Sequence, residues 1–332
     1  AGLASVLLLA PVAGLLAGPR LWRLAFYDCD GPEQELVPAE NASHLQMVHV
    51  AYAPRRADFS SVLNSMFSLS NHLAEPAGCT IHLVLAEADL EDAAELVQCL
   101  RQELRGPGGT PEVRLHARRP GDGLGGLASA RLEMAELLPG IPRVLYLDSN
   151  TIVRADVGPL YRMRMSYTVA AALECALERR MAAGRARAQL ARPGVPLSRL
   201  FLAQRKWLSV GVLLVDLERW RAKGLTESLK AWARILEESG LPEGGPWEDQ
   251  DLLNAALQGR FDLLDWRWNA LGMNLPLPLP ASCVGGARVL HFSPGSPGPP
   301  AAGGLLGDPA GERLRPHVPD AWLHNGWCAL QA

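Results

Sequence analysis

Short apolar stretches typical of buried strands alternate with helical patterns in the first half of this chain. The stretches at 46–53 (QMVHVAYA), 80–87 (TIHLVLAE) and 113–116 are rich in β-branched and aliphatic residues. Residues 60–73 and 96–104 instead carry apolar side chains at helical spacing. This alternation predicts an α/β fold with a mainly parallel, twisted sheet and helices on both faces.

The apolar run Val144–Leu147 ends in an acid and an amide. It follows a helical pattern at 127–138 and runs into Asp148, Ser149 and Asn150. Ligands of open parallel sheets bind beyond the carboxyl ends of the strands, so Asp148 and Asn150 are expected to face a ligand. Their oxygens suit Mg²⁺ or Mn²⁺, and such a cation neutralises a nucleotide diphosphate and assists its departure. Asp, Ser and Asn also favour turns, so the triplet alone leaves both interpretations open.

The second half of the chain is less regular. Strands are predicted at 166–173 and 209–217, and a helix at 226–239 with Thr226 as its cap. The arginine-rich segment 176–206 is interpreted either as a basic lid over an anionic ligand or as a solvated helical face.

Composition limits the size of the fold and the classes of partner that the protein is expected to bind. A chain of 332 residues with 48% hydrophobic content can bury the core of one elaborated domain. The formal charge is −3, from 32 basic and 35 acidic residues. That balance is not typical of a nucleic acid-binding protein, so no nucleic acid partner is expected.

The start of the chain indicates the secretory pathway. Residues 1–23 are apolar or small through Gly18, and we expect a signal peptide or signal anchor there rather than a buried helix. Membrane contact is expected only through this segment. A glycosylation sequon follows at Asn41-Ala42-Ser43. The six cysteines lack CxxC spacing, and either one or two disulfides or buried free thiols fit them, with the pairing open.

Five sequence blocks carry a family resemblance. They are 130–161 (ARLEMAELLPGIPRVLYLDSNTIVRADVGPLY), 209–220 (SVGVLLVDLERW), 247–257 (WEDQDLLNAAL), 264–272 (LDWRWNALG) and 289–299 (VLHFSPGSPGP). Their order and spacing resemble those of family 8 glycosyltransferases, retaining enzymes that use nucleotide sugars. The resemblance implies a GT-A fold with a Rossmann-like nucleotide-binding half. It also implies Mn²⁺ or Mg²⁺ as cofactor, a UDP-sugar as donor and a glycan or glycoconjugate as acceptor.

The implied organisation is a leader, a linker and one catalytic domain. The boundaries are 1–23 for the signal peptide or signal anchor, 24–44 for the linker and 45–332 for the GT-A domain, divided into a nucleotide-binding half (45–160), an acceptor half (161–293) and an irregular C-terminal tail (294–332). The implied location is the Golgi membrane with a lumenal domain, with secretion as the alternative.

The resemblance also assigns roles to individual residues. The implied metal ligands are Asp148, Asn150 and His291; the catalytic residues Asp249, Gln250 and Asp251; the donor-binding residues Ala51, Tyr52, Ala53, Phe59, Arg131, Asp148, Ser149, Gly211 and Gly295; and the acceptor-side residues Ser209, Trp268 and Asn269. In this scheme Gln250 lies near the anomeric carbon, and Gly211 allows close approach of the acceptor or sugar. Phe59 would stack on the base.

Most of these residues also have a local explanation. The alternatives are helix capping for Asp249 and Asp251, core packing for Phe59, His291, Trp266 and Trp268, and a helix-surface position for Arg131. Trp266 and Trp268 alternate as strand residues do.

Three departures from the family pattern leave two main hypotheses. Asn150 removes a negative charge from the metal site, and Ser209 stands where the family has Asn. No Lys follows His291 to bind the diphosphate, a contact worth roughly 1.5–3 kcal/mol. The first hypothesis is an active, metal-assisted transferase, and the second is a degenerate member that binds a nucleotide sugar or glycan without turnover. A third, an unrelated nucleotide-binding α/β protein, has no GxGxxG or P-loop motif to support it.

Overall fold

The computed structural model describes most of the region between the leader and the C-terminal tail. The described residues are 29, 31–40, 42–104, 109–118, 130–174, 207–238, 249–271 and 281–292. Predictions for the leader 1–23, the sequon residue Asn41, the arginine-rich segment 176–206, Gly295 and the tail 294–332 therefore lie outside the described residues. Within them, no helix combines the length and the apolar character needed to cross a membrane.

Two sheets organise the described residues. In chain order the strands are β1 (Val48–Tyr52), β2 (Cys79–Ala86), β3 (Glu112–Arg118), β4 (Arg143–Leu147), β5 (Thr151–Val153), β6 (Val169–Leu173), β7 (Leu208–Asp216), β8 (Asp262–Leu263), β9 (Ala270–Leu271) and β10 (Val289–His291). The larger sheet has the order β3-β2-β1-β4-β7-β6-β8, and the smaller one has the order β5-β10-β9. In the larger sheet β7 is antiparallel to both of its neighbours, and the other pairs are parallel. The predicted mainly parallel sheet is confirmed.

Helices cover both faces of the larger sheet, as predicted. They are α1 (Phe59–His72), α2 (Leu90–Glu103), α3 (Met134–Leu137), α4 (Gly158–Tyr161), α5 (Leu217–Ala222), α6 (Leu225–Glu238), α7 (Asp249–Leu257) and α8 (Ala281–Gly286). Helices α1 and α2 pack on the face that carries Val50 and Ile81. Helices α3, α5, α6 and α7 pack on the opposite face, which carries Ala51 and Tyr146. Successive strand residues point to opposite faces of the sheet. Because helices cover both faces, the side chains on both sides of the sheet are buried.

Three local predictions were wrong in detail, because tertiary contacts decide these segments. Thr226 does not cap α6: the helix starts at Leu225, and the Thr226 hydroxyl accepts a hydrogen bond from Trp220 Nε1 (2.8 Å). Trp266–Asn269 forms a 3-10 helix rather than a strand, and the Asp265 side chain accepts from Arg267 N at its start. Of the helix predicted at 127–138, the part from residue 130 onward is described, and it forms a 3-10 turn (Ala130–Leu132) followed by α3.

The segment predicted as a linker is partly docked on the domain. Ala39 N donates to Arg162 O (2.9 Å) and Arg164 N donates to Val37 O (2.7 Å). Cys29 forms a disulfide with Cys283 in α8, which resolves one of the pairings left open by the sequence. This cross-link joins the start of the described chain to the helix that precedes β10.

A row of histidines crosses the parallel half of the sheet. His49 Nδ1 lies 3.1 Å from His82 Nε2, and His82 Nδ1 lies 3.0 Å from His116 Nε2. Each of these contacts needs one protonated and one unprotonated nitrogen, so the row suits neutral rings. Burial is the main cause that lowers the pKa of His82 to about 3, and the neighbouring His49 and His116 add to it.

This histidine row makes stability depend on pH. An ordinary histidine has a pKa of 6.5, whereas the pKa of His82 in the fold is about 3. The contribution of the neutral His82 to the free energy of unfolding is therefore complete above pH 6.5 and is lost as the pH falls. Wild type is expected to lose about 2 kcal/mol of unfolding free energy through this residue between about pH 7.5 and pH 5. His82→Gln removes the titrating group, so urea titrations should give it a smaller pH-dependent loss. An equal loss in both proteins would contradict the prediction.

Candidate active site

The site forms where β7 separates from β6. Ala171 pairs with Leu213, but Leu173 pairs with Leu208, so the register shifts beside residues 209–211. Two side chains bind the main chain of Val210 there, and β4 binds Gly211 on the other edge of β7. Gln250 Oε1 accepts from Val210 N (3.2 Å), Arg131 donates to Val210 O (3.3 Å), and Asp148 N donates to Gly211 O (2.8 Å). The opened strand therefore brings β4, α7 and the Arg131 turn to one place.

Arg131 lies between two carboxylates. Its Nη1 lies 3.0 Å from Asp148 Oδ1, and its Nε lies 2.7 Å from Asp249 Oδ2. The guanidinium also lies 5.1 Å from the centre of the Tyr146 ring, and the Tyr146 hydroxyl donates to Asp148 Oδ1 (2.9 Å). Burial alone would lower the pKa of Arg131, but the charges of Asp148 and Asp249 outweigh it and raise the pKa. Arg131 is therefore part of the site and not a helix-surface cation.

His291 faces the other oxygen of Asp148. It ends β10 in the smaller sheet, and its Nε2 lies 3.5 Å from Asp148 Oδ2. On its other side, Nδ1 lies 2.9 Å from Asn269 Oδ1, and the Asn269 amide donates to Ser209 Oγ (3.1 Å). With Nδ1 as the donor to Asn269, a neutral His291 presents the Nε2 lone pair to the carboxylate. Two electron-pair donors facing each other at this distance are suited to share a cation.

Gly211 makes room for the His291 ring. A Cβ at Gly211 would lie 2.1 Å from His291 Cε1 and 2.4 Å from His291 Nδ1. The family resemblance implied that the missing side chain allows close approach of the acceptor or sugar. In the structure the imidazole occupies that space, so the glycine is required to bring His291 to Asp148.

Asn150 links the Asp148 turn to the end of β10. Its Nδ2 donates to Phe292 O (2.6 Å), and Phe292 N donates to Asn150 O (3.0 Å). A carboxylate cannot make the first of these bonds, so the amide has a structural reason to be there. The side-chain oxygen of Asn150 is not used in this link.

A divalent cation fits Asp148 and His291. At a bond length of about 2.1 Å to oxygen or nitrogen, one ion reaches two atoms up to about 4.2 Å apart. The 3.5 Å separation of Asp148 Oδ2 and His291 Nε2 is within that reach. No cluster of three or more His, Cys, Asp or Glu residues within the described ranges could hold a metal. A third protein ligand from the described residues would have to be another kind of oxygen donor, such as the side-chain amide of Asn150.

Helix α7 brings two of the predicted catalytic residues, Asp249 and Gln250, to the same place, and the third, Asp251, is buried in the first turn of the helix. Gln250 is buried, and its Nε2 donates to Glu174 Oε2 (3.1 Å) while its Oε1 accepts from Val210 N. Asp249 binds Arg131 and also accepts from Gln250 N (2.8 Å), so its predicted site and capping roles are compatible. Glu174 was not among the residues predicted from the sequence. Its signal was an acid directly after the apolar strand β6, the same pattern that pointed to Asp148.

Several residues assigned to ligand contact lie in the interior instead. Phe59 is only 5% exposed and packs in the core with Trp268, which favours packing over base stacking or acceptor contact. Ala51 and Tyr52 are fully buried, whereas Ala53 and Ser149 are partly exposed. Ser209 and Asn269 are buried beneath His291, so the structure gives them an orienting contact rather than an acceptor contact.

Comparison with known proteins identifies the family. The profile of Glycosyl transferase family 8 matches residues 121–296, more than half of the chain. The chain belongs to glycosyl transferase family 8. This family 8 member is therefore a glycosyltransferase, an enzyme that transfers a hexosyl or pentosyl group, as the sequence resemblance implied.

Sequence relatives agree with the family assignment of this glycosyltransferase, and a solved structure agrees with its fold. "Probable galacturonosyltransferase-like 7" of Arabidopsis thaliana is 28% identical over 266 residues, which are 75% of this chain and 67% of the relative. "General stress protein A" of Bacillus subtilis is 26% identical over 159 residues, 47% of this chain and 49% of the relative. The galactosyltransferase LgtC, solved with donor and acceptor sugar analogs, superposes with a TM-score of 0.56 at 18% identity. The superposition covers 83% of this chain and 99% of LgtC, which supports the GT-A fold.

Proposed function

We propose that this glycosyltransferase moves a sugar from a UDP-sugar to a hydroxyl of a glycan or glycoconjugate, with retention of configuration and assistance from Mn²⁺ or Mg²⁺. The observation that carries the proposal is the meeting of Asp148 and His291 at 3.5 Å from two different sheets. Arg131 and Asp249 lie at the same point, and Gln250 follows on α7. Ligands that hold a cation are thus next to groups that bind a sugar diphosphate.

Each residue of the site has a separate role in the proposed transfer. Asp148 and His291 would hold the cation, with the amide oxygen of Asn150 as a weaker third ligand. The cation, when bound, neutralises the diphosphate and assists its departure. Arg131 supplies a fixed positive charge against the donor, and Asp249 keeps the guanidinium oriented. Gln250 lies beside the donor sugar and stabilises positive charge at the anomeric carbon with its amide oxygen.

The same proposal covers location and domain organisation. The disulfide between Cys29 and Cys283 is typical of oxidising compartments and supports the secretory pathway, in the Golgi lumen or after secretion. We propose that residues 45–160 form the nucleotide-binding half of the domain and residues 161–293 the acceptor half. In the former linker, residues 31–40 belong with the domain because they bind it.

One observation favours the alternative of binding without turnover. Arg131 bonds Asp148 directly, and Asn150 is tied to Phe292, so the metal site has one carboxylate fewer than the family pattern. Binding of a nucleotide sugar by Arg131 and the main chain of β7 would survive even if the cation bound poorly. The intact arrangement of Asp249 and Gln250 on α7 favours turnover over this alternative.

The experiment that tests the proposal uses the full chain with Mn²⁺ and a panel of UDP-sugars. We expect release of UDP with at least one donor, and NMR of the product should give the same anomeric configuration as the donor. Calorimetry on the same preparation measures binding independently. Binding without release of UDP for every donor would support the alternative, and a product of inverted configuration would contradict the retaining mechanism.

Replacing Asn150 with aspartate tests the assignment of the third ligand. The new carboxylate cannot donate to Phe292 O, so metal-free Asn150→Asp should lose about 1–3 kcal/mol of stability. Mn²⁺ should then raise the Tm of the variant more than that of wild type, because the site gains a negative charge. Thermal unfolding with and without Mn²⁺ measures both effects. Equal Tm increases in the two proteins would show that residue 150 is not a metal ligand.

A further inference from the structure

A buried carboxylate contacts the proposed catalytic glutamine. Glu174 directly follows β6 and is only 1% exposed. Its Oε2 accepts from Gln250 Nε2 (3.1 Å), and its main-chain N donates to Trp207 O (2.8 Å). Burying a carboxylate is unfavourable unless hydrogen bonds compensate for the lost water. The hydrogen bond from the Gln250 amide is one of the contacts that compensate for this loss.

The carboxylate decides which way the glutamine amide points. An ionised carboxylate only accepts hydrogen bonds, so the NH₂ end of Gln250 must face Glu174. The oxygen end then faces β7, where it accepts from Val210 N on the strand segment that also binds Arg131 and Asp148. An amide oxygen has two lone pairs, so one remains for a second contact.

We propose that Glu174 is a positioning residue for transfer: it fixes the Gln250 amide with its oxygen on the β7 side and increases the electron density on that oxygen. Hydrogen bonds in a chain polarise one another, and a charged acceptor at the NH₂ end makes the oxygen end more negative. A more negative oxygen better stabilises positive charge at the anomeric carbon. This inference rests on the proposed function, because that proposal puts Gln250 beside the donor sugar.

The position of helix α7 itself does not depend on Glu174. Asn254, one turn further along α7, exchanges two hydrogen bonds with the main chain of Leu208: Leu208 N donates to Asn254 Oδ1 (2.9 Å) and Asn254 Nδ2 donates to Leu208 O (3.0 Å). These bonds hold α7 against β7. The effect of Glu174 is thus expected to be local to the Gln250 amide.

Kinetics of Glu174→Ala test the proposal. We expect kcat to fall about 10- to 100-fold, while KM for the UDP-sugar changes by less than about threefold. Glu174→Gln keeps the shape but removes the charge, so its kcat should lie between those of wild type and Glu174→Ala. Thr168→Val serves as the matched control, because Thr168 is also buried but lies at the opposite end of β6. Its kcat should stay within about twofold of wild type.

A double-mutant cycle separates positioning from a general structural role. In a Gln250→Ala background, Glu174→Ala should lower kcat by less than about twofold, because Glu174 acts through Gln250. An equal loss in both backgrounds, or a change in KM alone, would overturn the proposal.

A structural readout keeps the test independent of activity. In a crystal structure of Glu174→Ala, the Gln250 amide should turn away from Val210 N. If Gln250 keeps its place and its bond to Val210, the positioning role is wrong, even if the wild type is active. If wild type turns over no UDP-sugar but the amide moves in the variant, the proposed function fails and the positioning contact stands.

Discussion

Replacing Asp148 with alanine is expected to lower kcat/KM for the UDP-sugar by about 10³-fold or more. Three partners depend on this carboxylate: Arg131 and Tyr146 bind its Oδ1, and His291 faces its Oδ2. The variant loses a cation ligand and also one of the two anions that orient Arg131. Release of UDP from the donor, measured at saturating Mn²⁺, checks the expectation.

The control for Asp148→Ala is Glu95→Ala, which removes an exposed carboxylate from α2, on the sheet face opposite α7. It changes the net charge equally and should leave kcat/KM within about twofold of wild type. Both variants should unfold cooperatively on heating. Activity of a folded Asp148→Ala protein above about a tenth of the wild-type value would refute the role assigned to this residue, since one preorganised catalytic contact alone is worth more than that.

Gly211→Ala is expected to have the second-largest effect. The new methyl group would lie 2.1 Å from His291 Cε1, so either β7 or the imidazole must move. Overpacking of this kind destabilises a fold by about 1–3 kcal/mol. Because the displaced group is a proposed metal ligand, release of UDP should also fall by at least about 100-fold. Urea unfolding and the UDP assay measure the two losses separately.

A second substitution identifies the cause of the Gly211 effect. Gly211→Ala combined with His291→Ala removes the ring that the methyl group meets, so the double variant should recover stability relative to Gly211→Ala while staying inactive. Gly285→Ala on α8 is the matched control, since nothing lies within 4 Å of a Cβ there. It should be neutral or slightly stabilising because alanine favours helix. A double variant no more stable than Gly211→Ala would contradict the steric explanation.

Features that depend on local pattern could be predicted from the sequence. Strands β1, β2 and β4 are rich in β-branched and aliphatic residues, and the alternation of such segments with α1 and α2 predicted the parallel half of the sheet. The position of Asp148 followed from the same pattern, because a polar residue at the carboxyl end of a parallel strand faces the ligand crevice. The resemblance to family 8 then linked Asp148 to His291, which no local pattern connects.

Features that depend on tertiary contact could not be predicted. The hydrogen bond from Asn150 to Phe292 O joins two sheets, and nothing near residue 150 in the sequence indicates it. The space above Gly211 is filled by a ring from β10, so the reason for the glycine appears only in the fold. The register shift that exposes Val210 to Gln250 and Arg131 depends on how β6 meets β7. Such pairings have no signature in one sequence.

In the proposed mechanism, Asp148 and His291 share one cation with the donor diphosphate. A crystal structure with UDP and Mn²⁺, using anomalous scattering from manganese, tests it directly. We expect one manganese peak within about 2.3 Å of both Asp148 Oδ2 and His291 Nε2, in contact with the diphosphate oxygens. Bound UDP with no manganese between these two side chains, and with Arg131 alone on Asp148, would contradict it.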